Sequence, residues 1–331
     1  MIKPTYQIEA QGVDLTKHIA DALIELRLED RAGYESDALE IEVADNQDWT
    51  WPREGALLRL RALGYDGETL VEPASSSRFA IDQIEHAGPP ARLHFSATSA
   101  DFTSQMREGR DRSHPNMTLG ELIERLAAEH GYDFGIYPAD LGETHLGFVD
   151  QSGQSDLALA HQVAAEYGTL FKVIDGKWVV ISYDATEGPD GEPIPVTELT
   201  PADVSTWRAH FMTKKKVGSV VATYQDYDLA RRIPVTVGEG EPVRTLSRVF
   251  LDEATAQANA RSTLHRAWRE SRRLTINLPG NPSLASRQRL RLSGFRDGVN
   301  GDWLITQVSH VVNKRGYRCR VEAEGLGYAD R

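Results

Sequence analysis

The sequence predicts a mainly β protein with a small α/β insert, in which two tube-like antiparallel β-barrel modules, related by internal duplication, flank a domain with two helices. Short segments of alternating or clustered apolar residues recur at both ends of the chain, separated by Gly and Pro. Two segments with helical spacing lie between them. Three sequence blocks of the N-terminal part recur in order in the C-terminal part. We expect domains at residues 1–105, 106–196 and 197–331.

The N-terminal segment contains six stretches with the strand pattern. Turn-forming residues such as Gly33, Gly64 and the Gly88–Pro90 run separate them, and this spacing is typical of an antiparallel barrel or sandwich. The predicted strands are Tyr6–Ala10, Ala22–Leu28, Ala38–Val43, Leu57–Ala62, Phe79–Ile84 and Leu93–Ala97.

The insert contains two predicted helices, and capping residues mark the ends of each. Thr118 and Glu121 form a capping box, in which each side chain can bond the other residue's free backbone N–H, and Gly131 ends the first helix. Ser155 is the predicted N-cap of the second helix, which stops at Gly168.

The segments around the two helix ends resemble each other. Ala127–Ile136 matches Ala164–Val173 at an offset of 37 residues. We therefore expect each Gly cap to be followed by a strand that brings an aromatic side chain to the same place. The second strand continues into a hairpin that turns at Asp175–Gly176. The Gly- and Pro-rich segment Glu187–Pro195 is predicted to be a linker.

The C-terminal segment returns to strands, interrupted by one helix at about 252–271. Asp252 is its predicted N-cap, and basic residues at its C-terminal end complement the helix dipole. Its apolar stripe consists of Ala256, Ala260, Leu264, Ala267 and Trp268. The predicted strands are Val217–Tyr224, Arg244–Phe250, Leu274–Leu278, Gln288–Leu292, Trp303–Val312 and Tyr317–Ala323.

An internal duplication is the most informative feature of the sequence. Any two alternating hairpins look somewhat alike, but three blocks in the same order argue for a repeat. Three chains of this kind around an axis present six similar modules, so a trimer can form a pseudo-sixfold ring. The paired blocks are Phe79–His86 with Trp303–His310, Pro52–Gly64 with Pro282–Gly294, and Arg92–Ala97 with Arg318–Ala323.

The net charge of −12 conceals an asymmetry along the chain. Residues 1–199 contain 15 Lys and Arg against 36 Asp and Glu (net −21), whereas residues 200–331 contain 22 against 13 (net +9). These halves can attract one another, within a subunit or between subunits, or can simply be two solvated faces. Scattered basic residues, with Lys214–Lys216 as the single run, do not favour a nucleic-acid-binding tail.

The composition is that of a globular protein made in a reducing compartment. The single cysteine, Cys319, allows no internal disulfide and is predicted to be a half-buried strand residue. No apolar run approaches the roughly 20 residues that span a bilayer, so we expect no membrane insertion. The N-terminal residues do not have the pattern of a secretory signal.

No constellation of residues indicates catalysis. The segment Gly153–Leu157 starts like a nucleophile elbow around Ser155 but lacks the final Gly, and Ser155 is better explained as a helix N-cap. Gly238–Gly240 has no following helix or Lys, so it does not form a phosphate loop. Glu129–His130 lacks the second His of a zinc protease motif.

The remaining candidates are equally unspecific. His86 and His310 recur because they lie in the repeated strand, which favours a structural role. Asp150 and Asp156 have the composition of a hydrolase pair, as any two acidic residues do. Three tryptophans, Trp49, Trp51 and Trp207, are predicted to be core or interface residues. The sequence therefore predicts no catalytic, cofactor-binding or metal-binding residue, no cofactor and no enzymatic activity.

Several segments together resemble the phage late control D family. The resemblance covers nearly the whole chain in order, although each block alone is weak. It rests on Leu26–Asp45, Trp51–Gly55, Phe79–Ile84, Gly88–Pro90, Thr118–Glu121, Asp150–Asp156, Gly294–Arg296, Trp303–His310 and Gly316–Tyr317.

This family is similar to the baseplate hubs of contractile tails and to the hub portion of VgrG spikes. The resemblance implies a homotrimeric ring in the virion baseplate, assembled in the host cytoplasm, between a hexameric tail tube and a trimeric spike. It implies the spike and tube proteins as partners, the tape-measure protein and baseplate wedge as further candidates, and DNA only as passing cargo. The alternatives are a tail-tip enzyme that degrades the cell wall, or the hub of a non-phage contractile injection system.

Overall fold

The computed structural model describes residues 6–326 except 34, 46–51, 54, 67, 74, 76–77, 100–103, 175, 184, 189–190 and 214–215. Packing divides the chain into two compact units. Unit 1 comprises Met1–Phe102, Val196–Arg208 and Leu274–Ala323. Unit 2 comprises Thr103–Pro195, Ala209–Arg273 and Glu324–Arg331.

Twenty-three strands and four α-helices are seen among the described residues. The strands are β1 Tyr6–Ala10, β2 Val13–Asp14, β3 Leu23–Arg31, β4 Ala38–Ala44, β5 Leu57–Leu63, β6 Tyr65–Asp66, β7 Thr69–Leu70, β8 Arg78–Ala87, β9 Arg92–Ser99, β10 Gly109–Thr118, β11 Asp133–Tyr137, β12 His145–Ser155, β13 Thr169–Ile174, β14 Lys177–Ser182, β15 Val196–Leu199, β16 Thr206–Phe211, β17 Ser219–Asp226, β18 Arg231–Gly238, β19 Val243–Phe250, β20 Arg272–Pro279, β21 Arg289–Leu292, β22 Gly301–Asn313 and β23 Gly316–Gly325. The helices are α1 Thr16–Ala20, α2 Leu119–Glu129, α3 Asp156–Glu166 and α4 Glu253–Ser271, with short 3-10 helices at Ser104–Arg107 and Ala139–Glu143.

The largest sheet has thirteen strands and joins the two ends of the chain. Its neighbours follow the order β16-β20-β23-β22-β3-β4-β9-β8-β5-β1-β2, with β21 paired to both β22 and β15. The N-terminal and C-terminal strands meet where β22 pairs antiparallel with β3, from Gln307 opposite Arg31 to Asn313 opposite Glu25. Strands that the sequence assigns to separate first and third domains thus share one sheet.

The order of neighbours in this sheet occurs twice. One run is β3-β4-β9-β8-β5-β1, and the other is β16-β20-β23-β22-β21-β15. In both runs all six strands occur in corresponding chain order. The outermost contact differs in direction, because β1 pairs antiparallel with β5 whereas β15 pairs parallel with β21.

The apolar face of each predicted strand in unit 1 is buried. On β4, Leu39, Ile41 and Val43 alternate with half-buried Glu residues, as expected for a sheet with one covered face. Phe79 on β8 and Trp303 on β22, which coincide in the sequence repeat, are both fully buried.

Cys319 corrects one expectation. It is fully buried, not half-buried, because its thiol lies against the backbone of the preceding loop and accepts a hydrogen bond from the Asn281 N–H (3.3 Å). Burial raises the pKa of this thiol.

The two predicted helices of the insert begin where their caps indicate. Thr118 Oγ1 accepts from the Glu121 N–H (3.2 Å) while the Glu121 carboxylate accepts from the Thr118 N–H (2.8 Å). Ser155 Oγ accepts from the Ala158 N–H (3.2 Å), so the N-cap prediction for Ser155 is confirmed. The buried face of α2 is continuous along the helix: Leu119, Leu122, Ile123, Leu126 and Ala127.

The strands after these helices pair with one central strand, β14. β11 pairs with it in parallel and β13 pairs antiparallel in a hairpin from Ile174 to Lys177; Asp175 of the predicted turn lies outside the described residues. The expectation that both strands bring an aromatic to the same place is wrong. Both strands lie at an edge of this three-stranded sheet, but Phe171 is buried with its ring 5.1 Å from that of Trp178, whereas Phe134 is 40% exposed.

Helix α4 packs on a separate three-stranded sheet, β18-β17-β19. Asp252 accepts from the Thr255 N–H (2.7 Å), which confirms the predicted N-cap. Ala256, Ala260 and Leu264 of the predicted stripe are buried against Val220 and Ala222 of β17. The other face of β18 carries exposed residues.

Two strands of unit 2, β10 and β12, were not predicted from the sequence. The predicted domain boundaries are not tested and stay predictions. Strands β10 and β12 form a two-stranded sheet in a polar region without apolar alternation. Packing assigns residues 209–273, predicted within the third domain, to unit 2; the division at 105/106 and 196/197 stays a prediction. Within the described ranges, no helix is long and apolar enough to cross a membrane.

Candidate assembly interface

The junction of β3 and β22 in unit 1 is specified by buried polar side chains. The Glu29 carboxylate accepts hydrogen bonds from Gln307 Nε2 (2.5 Å) and Ser309 Oγ (2.7 Å). Glu29 is only 7% exposed, so a register shift between the strands would leave a buried carboxylate without these donors. The next residue, Asp30, accepts from the N–H (2.6 Å) and hydroxyl (2.7 Å) of Ser286.

His310 completes the buried part of this junction. Its Nε2–H donates to the Leu284 carbonyl oxygen (3.2 Å), which leaves Nδ1 to accept from the Tyr317 hydroxyl (2.9 Å). The Cys319 thiol also lies 3.3 Å from Nδ1. Burial lowers the pKa of His310 to about 4, so the ring is neutral near pH 7. A neutral imidazole with both nitrogens bonded to the protein packs the core and is not poised for proton transfer to solvent.

The repeated counterpart of this strand segment is on the surface. Gln83, Glu85 and His86 of β8 are exposed, whereas Gln307, Ser309 and His310 of β22 are half-buried or buried. The His86 imidazole lies 3.0 Å from the Asp45 carboxylate and its side chain is 44% exposed. The sequence repeat predicted one structural role for both histidines, but the two residues occupy different environments.

The difference follows from strand pairing. β22 pairs with β21 over Gly301–Leu304 and with β3 over Gln307–Asn313. β8 pairs with β5 over Arg78–Ala80, and the Ile81 N–H reaches the Ala56 carbonyl oxygen (3.0 Å). Beyond this point, β9 is the one described strand that pairs with β8.

Unit 2 contains a buried ion-pair cluster around Asp156, the first residue of α3. One carboxylate oxygen accepts from Arg112 Nη2 (2.6 Å) and Gln151 Nε2 (2.8 Å). The other lies 2.9 Å from His130 Nε2 and 3.2 Å from Arg110 Nη1. The Asp156 side chain is fully buried, so β10, β12 and the two helices are tied together through one carboxylate.

The pKa of Asp156 follows from these contacts. Burial alone raises the pKa of a carboxyl, but the bonds from Gln151 and His130 and the charges of Arg112 and Arg110 hold it below its usual value. An ionised carboxylate with both oxygens saturated is a structural anchor and a poor general acid or nucleophile.

Glu129 balances the charge of the cluster. Its carboxylate accepts from Arg112 Nη1 (2.7 and 2.8 Å) and from Arg110 Nη1 (2.8 Å). Two guanidinium groups thus meet two carboxylates. Buried charges of this kind are tolerated when they are paired and hydrogen-bonded.

The structure does not bring the other candidate residues into a chemical site. Asp150 is exposed and its carboxylate accepts from Ser113 Oγ (3.3 Å), so it does not share the burial of Asp156. Trp207 is 48% exposed and meets the Phe295 ring edge-on at 5.1 Å. Trp49, Trp51 and two residues of the Lys214–Lys216 run lie outside the described residues. Across the part of the chain that is described, no three His, Cys, Asp or Glu side chains are grouped for a metal.

One exposed apolar tip was missed by the sequence analysis. The turn between β17 and β18 carries Tyr227 (74% exposed) and Leu229 (56% exposed). The Asp226 carboxylate accepts from the N–H groups of Asp228 (3.0 Å) and Leu229 (2.9 Å), which fixes the turn. Two large apolar side chains on an ordered turn make this tip a candidate contact surface. The sequence signal that could have revealed this tip is the pair of apolar residues within an otherwise polar turn.

Proteins of phage tails and related secretion machines have this fold. The 43 kDa tail protein of prophage MuSo2 from Shewanella oneidensis is similar over 96% of this chain and 97% of its own, with a TM-score of 0.68 and 12% identity. The E. coli protein c3393, a component of the type VI secretion system, is similar over 98% of this chain and 77% of its own, with a TM-score of 0.60 and 12% identity. The chain therefore shares the fold of these two proteins.

Sequence comparison narrows the class to one family. The model of the phage tail baseplate hub family (GPD) matches residues 105–316. The "Probable baseplate hub protein" of Escherichia phage 186 is 26% identical over 98% of this chain and 93% of its own length. This chain belongs to the phage tail baseplate hub (GPD) family, and the resemblance drawn from the sequence is confirmed.

Proposed function

We propose that three copies of this chain form the ring of a contractile-tail baseplate that joins a hexameric tail tube to a trimeric central spike. The observation that carries the proposal is the strand order that occurs twice in the thirteen-stranded sheet. Three chains contain six runs of this order, which supports a ring of pseudo-sixfold symmetry. Elements that occur once per chain would remain threefold and match the spike.

The two runs differ in the connection between their first two strands. A ring that joins a sixfold tube to a threefold spike needs such parts, which occur once per chain. In the first run, residues 32–37 connect β3 to β4 directly. In the second run, the connection from β16 to β20 contains β17, β18, β19 and α4. We infer that the repeated strands form the duplicated modules and that this long connection supplies contacts present three times in the ring.

A structural role also fits the hydrogen bonding of the buried acidic side chains. Asp30 and Asp156, which are almost completely buried, accept hydrogen bonds from donors of their own unit. We expect no activity of the chain on purified peptidoglycan, measured by release of soluble fragments. Release above that of a heat-denatured sample would favour the tail-tip enzyme instead.

The assembly state tests the hub proposal directly. We mix the chain with the spike protein of the same tail particle and measure the complex by native mass spectrometry. We expect a mass of three times the 36.8 kDa of one chain in addition to the mass of the spike. A tube protein added next should bind this complex. A single copy of the chain per spike trimer would contradict the ring.

The exposed turn of β17 and β18 gives a second test. We expect the double substitution Tyr227→Ala with Leu229→Ala to leave the melting temperature unchanged, because both side chains project into solvent. Incorporation of the chain into purified tail particles should fall at least about tenfold, as truncation of exposed aromatic anchors typically weakens binding. Normal incorporation would exclude this turn as a baseplate contact.

We further expect the ring to lie in the virion baseplate after assembly in the host cytoplasm. Its partners would be the spike and tube proteins, with the tape-measure protein and wedge as further contacts. DNA would pass through without stable binding.

A further inference from the structure

We propose that the exposed tip between β17 and β18 of one copy inserts Tyr227 and Leu229 into a recess bounded by β12, α3 and β19 of a second copy. The tip and the recess both belong to unit 2. This inference rests on the proposed ring and specifies a contact between its subunits.

The recess is of a size that suits protein side chains. Its volume is about 220 Å³. Pockets that hold whole small molecules typically measure about 300–1,000 Å³, so this recess fits one or two large side chains better than a separate ligand. Leu146 and Val163 line it as buried residues, and Phe148 borders it with 58% of its surface exposed. Leu251 lies directly over Gly147, beside Phe148, and extends the apolar surface outside the recess.

The polar side of the recess is fixed by bonds within unit 2. The Glu166 carboxylate accepts from Arg248 Nη1 (2.8 Å) and from Gln162 Nε2 (3.2 Å). These bonds connect α3 to β19 across the recess. A recess whose lining is already ordered loses little conformational freedom when a side chain enters it.

The tip is ordered in the same way. The two bonds that Asp226 accepts from the turn hold Tyr227 and Leu229 in place, and both side chains are more than half exposed. The tip therefore does not fill the recess of its own chain. An aromatic side chain that enters a preformed recess is a typical centre of binding energy.

The tip and the recess are complementary in charge. Arg231 and Arg232 follow the tip and are exposed, and exposed Asp150 borders the recess. The reverse pair is also present, because exposed Asp228 lies in the turn and Arg248, with 53% of its side chain exposed, lines the recess. Opposite charges around an apolar contact fix its register and select one partner over others.

A second copy of the chain is the occupant that this pairing favours. Each copy carries one tip and one recess on different elements, so a contact between them is head-to-tail and closes into a ring when the rotation permits. Three copies would make three such contacts and leave neither a tip nor a recess unfilled. The contact would then be one of the threefold features of the ring.

A cysteine cross-link between two different variants tests the contact. We mix Leu229→Cys with Phe148→Cys in the presence of the spike protein and add oxidised glutathione. Native Cys319 is fully buried and does not compete. A disulfide requires Cα atoms about 4.4–6.8 Å apart, so it forms only where the tip enters the recess. We expect at least about ten times more two-chain product than from Leu229→Cys mixed with Glu124→Cys, an exposed position on α2.

The remaining outcomes separate this contact from the hub function. Trimers without the cross-link would overturn the contact and leave the ring intact. A cross-link in Leu229→Cys alone would mean that two tips meet, which also overturns the contact. Failure to form a trimer with the spike protein, measured by native mass spectrometry, would overturn both.

A double-mutant cycle provides a second test that needs no cross-link. Tyr227→Ala and Phe148→Ala should each lower the association constant of each contact at least about tenfold. Both side chains are exposed, so the melting temperature should not change. The double variant should lose much less than the product of the two effects, because one contact is removed in both. Effects that multiply would mean that the tip and the recess bind different partners and would rule out the pairing.

Discussion

Substitution of Asp156 by Asn is expected to lower the free energy of unfolding of unit 2 by about 3 kcal/mol. Removal of this charge leaves two guanidinium groups facing one carboxylate in a site where the Asp156 side chain is fully buried. We expect the lower end of the range for broken buried pairs, because the side chain of Arg110 is 32% exposed and remains partly hydrated. Chemical denaturation followed by tryptophan fluorescence is the measurement, since Trp178 stacks on His130 in this cluster.

Asp150→Asn is the matched control. Asp150 lies on the same strand, β12, but is exposed and contacts only Ser113 among the bonds described. This variant should unfold within about 0.5 kcal/mol of the wild type, as surface substitutions do. If Asp156→Asn behaved like Asp150→Asn, the cluster would not stabilise the unit.

The same cluster has a defined pH dependence. Folding lowers the pKa of Asp156, chiefly because hydrogen bonds and arginine charges outweigh burial, and it lowers the pKa of Glu129 in the same way. A carboxyl whose folded pKa is depressed contributes stability that is present above its unfolded pKa, 3.8 for Asp, and is lost as the pH falls through the folded pKa. The wild type should therefore lose this contribution only in strong acid.

The predicted strands were found wherever one face of a strand packs on a core. The alternation of Leu39, Ile41 and Val43 with charged residues is sufficient to locate β4, because period-2 burial leaves a direct record in the sequence. The same reasoning located β8, β22 and β23. Helix starts were equally accessible, since Thr118, Ser155 and Asp252 each bond a free N–H in the first turn.

Strand β10 shows where this reasoning stops. Its sequence, Gly109–Thr118, is polar and only His114 is fully buried, so no apolar period exists to detect. The strand is held by backbone pairing with β12 and by Arg110 and Arg112, whose carboxylate partners lie 17 to 46 residues away. Contacts between charged residues this far apart leave no pattern within a local window.

The β3–β22 junction and its repeated counterpart on β8 could be predicted only in part. The repeat of Gln83–His86 at Gln307–His310 was visible in the sequence and identified the two strands that matter most. One copy pairs with β3 and is buried, whereas the side chains of the other copy are exposed. This difference depends on which strands meet in the sheet, and local sequence does not encode that. The sequence therefore located the repeated segment but not its two environments.

Protonation of His310 is expected to remove about 3 kcal/mol of stability from unit 1 as the pH falls from about 6.5 to about 4. Burial lowers the folded pKa of this ring to about 4, although the charges of Asp30 and Glu29 act in the opposite direction. The unfolded chain therefore binds the additional proton between the two pKa values, so the stabilising contribution is complete above pH 6.5 and is lost toward pH 4. Protonation would also remove the Nδ1 lone pair that accepts from the Tyr317 hydroxyl.

The measurement compares urea unfolding of the wild type and His310→Gln across this pH range. Burial also lowers the pKa of His114 and His161, so the wild-type slope contains other protons, and only the difference between the two proteins reports His310. His310→Gln should be less stable than the wild type at pH 7, where the wild-type bonds to Leu284 and Tyr317 are intact. This gap in the free energy of unfolding should narrow steadily toward pH 4.

His86→Gln, at the repeated and exposed position, controls for loss of a histidine as such. A constant gap would mean that the ring does not gain a proton on unfolding and would contradict its neutral, buried state. A narrowing gap would mean that protonation of His310 weakens the packing around the β3–β22 junction in unit 1.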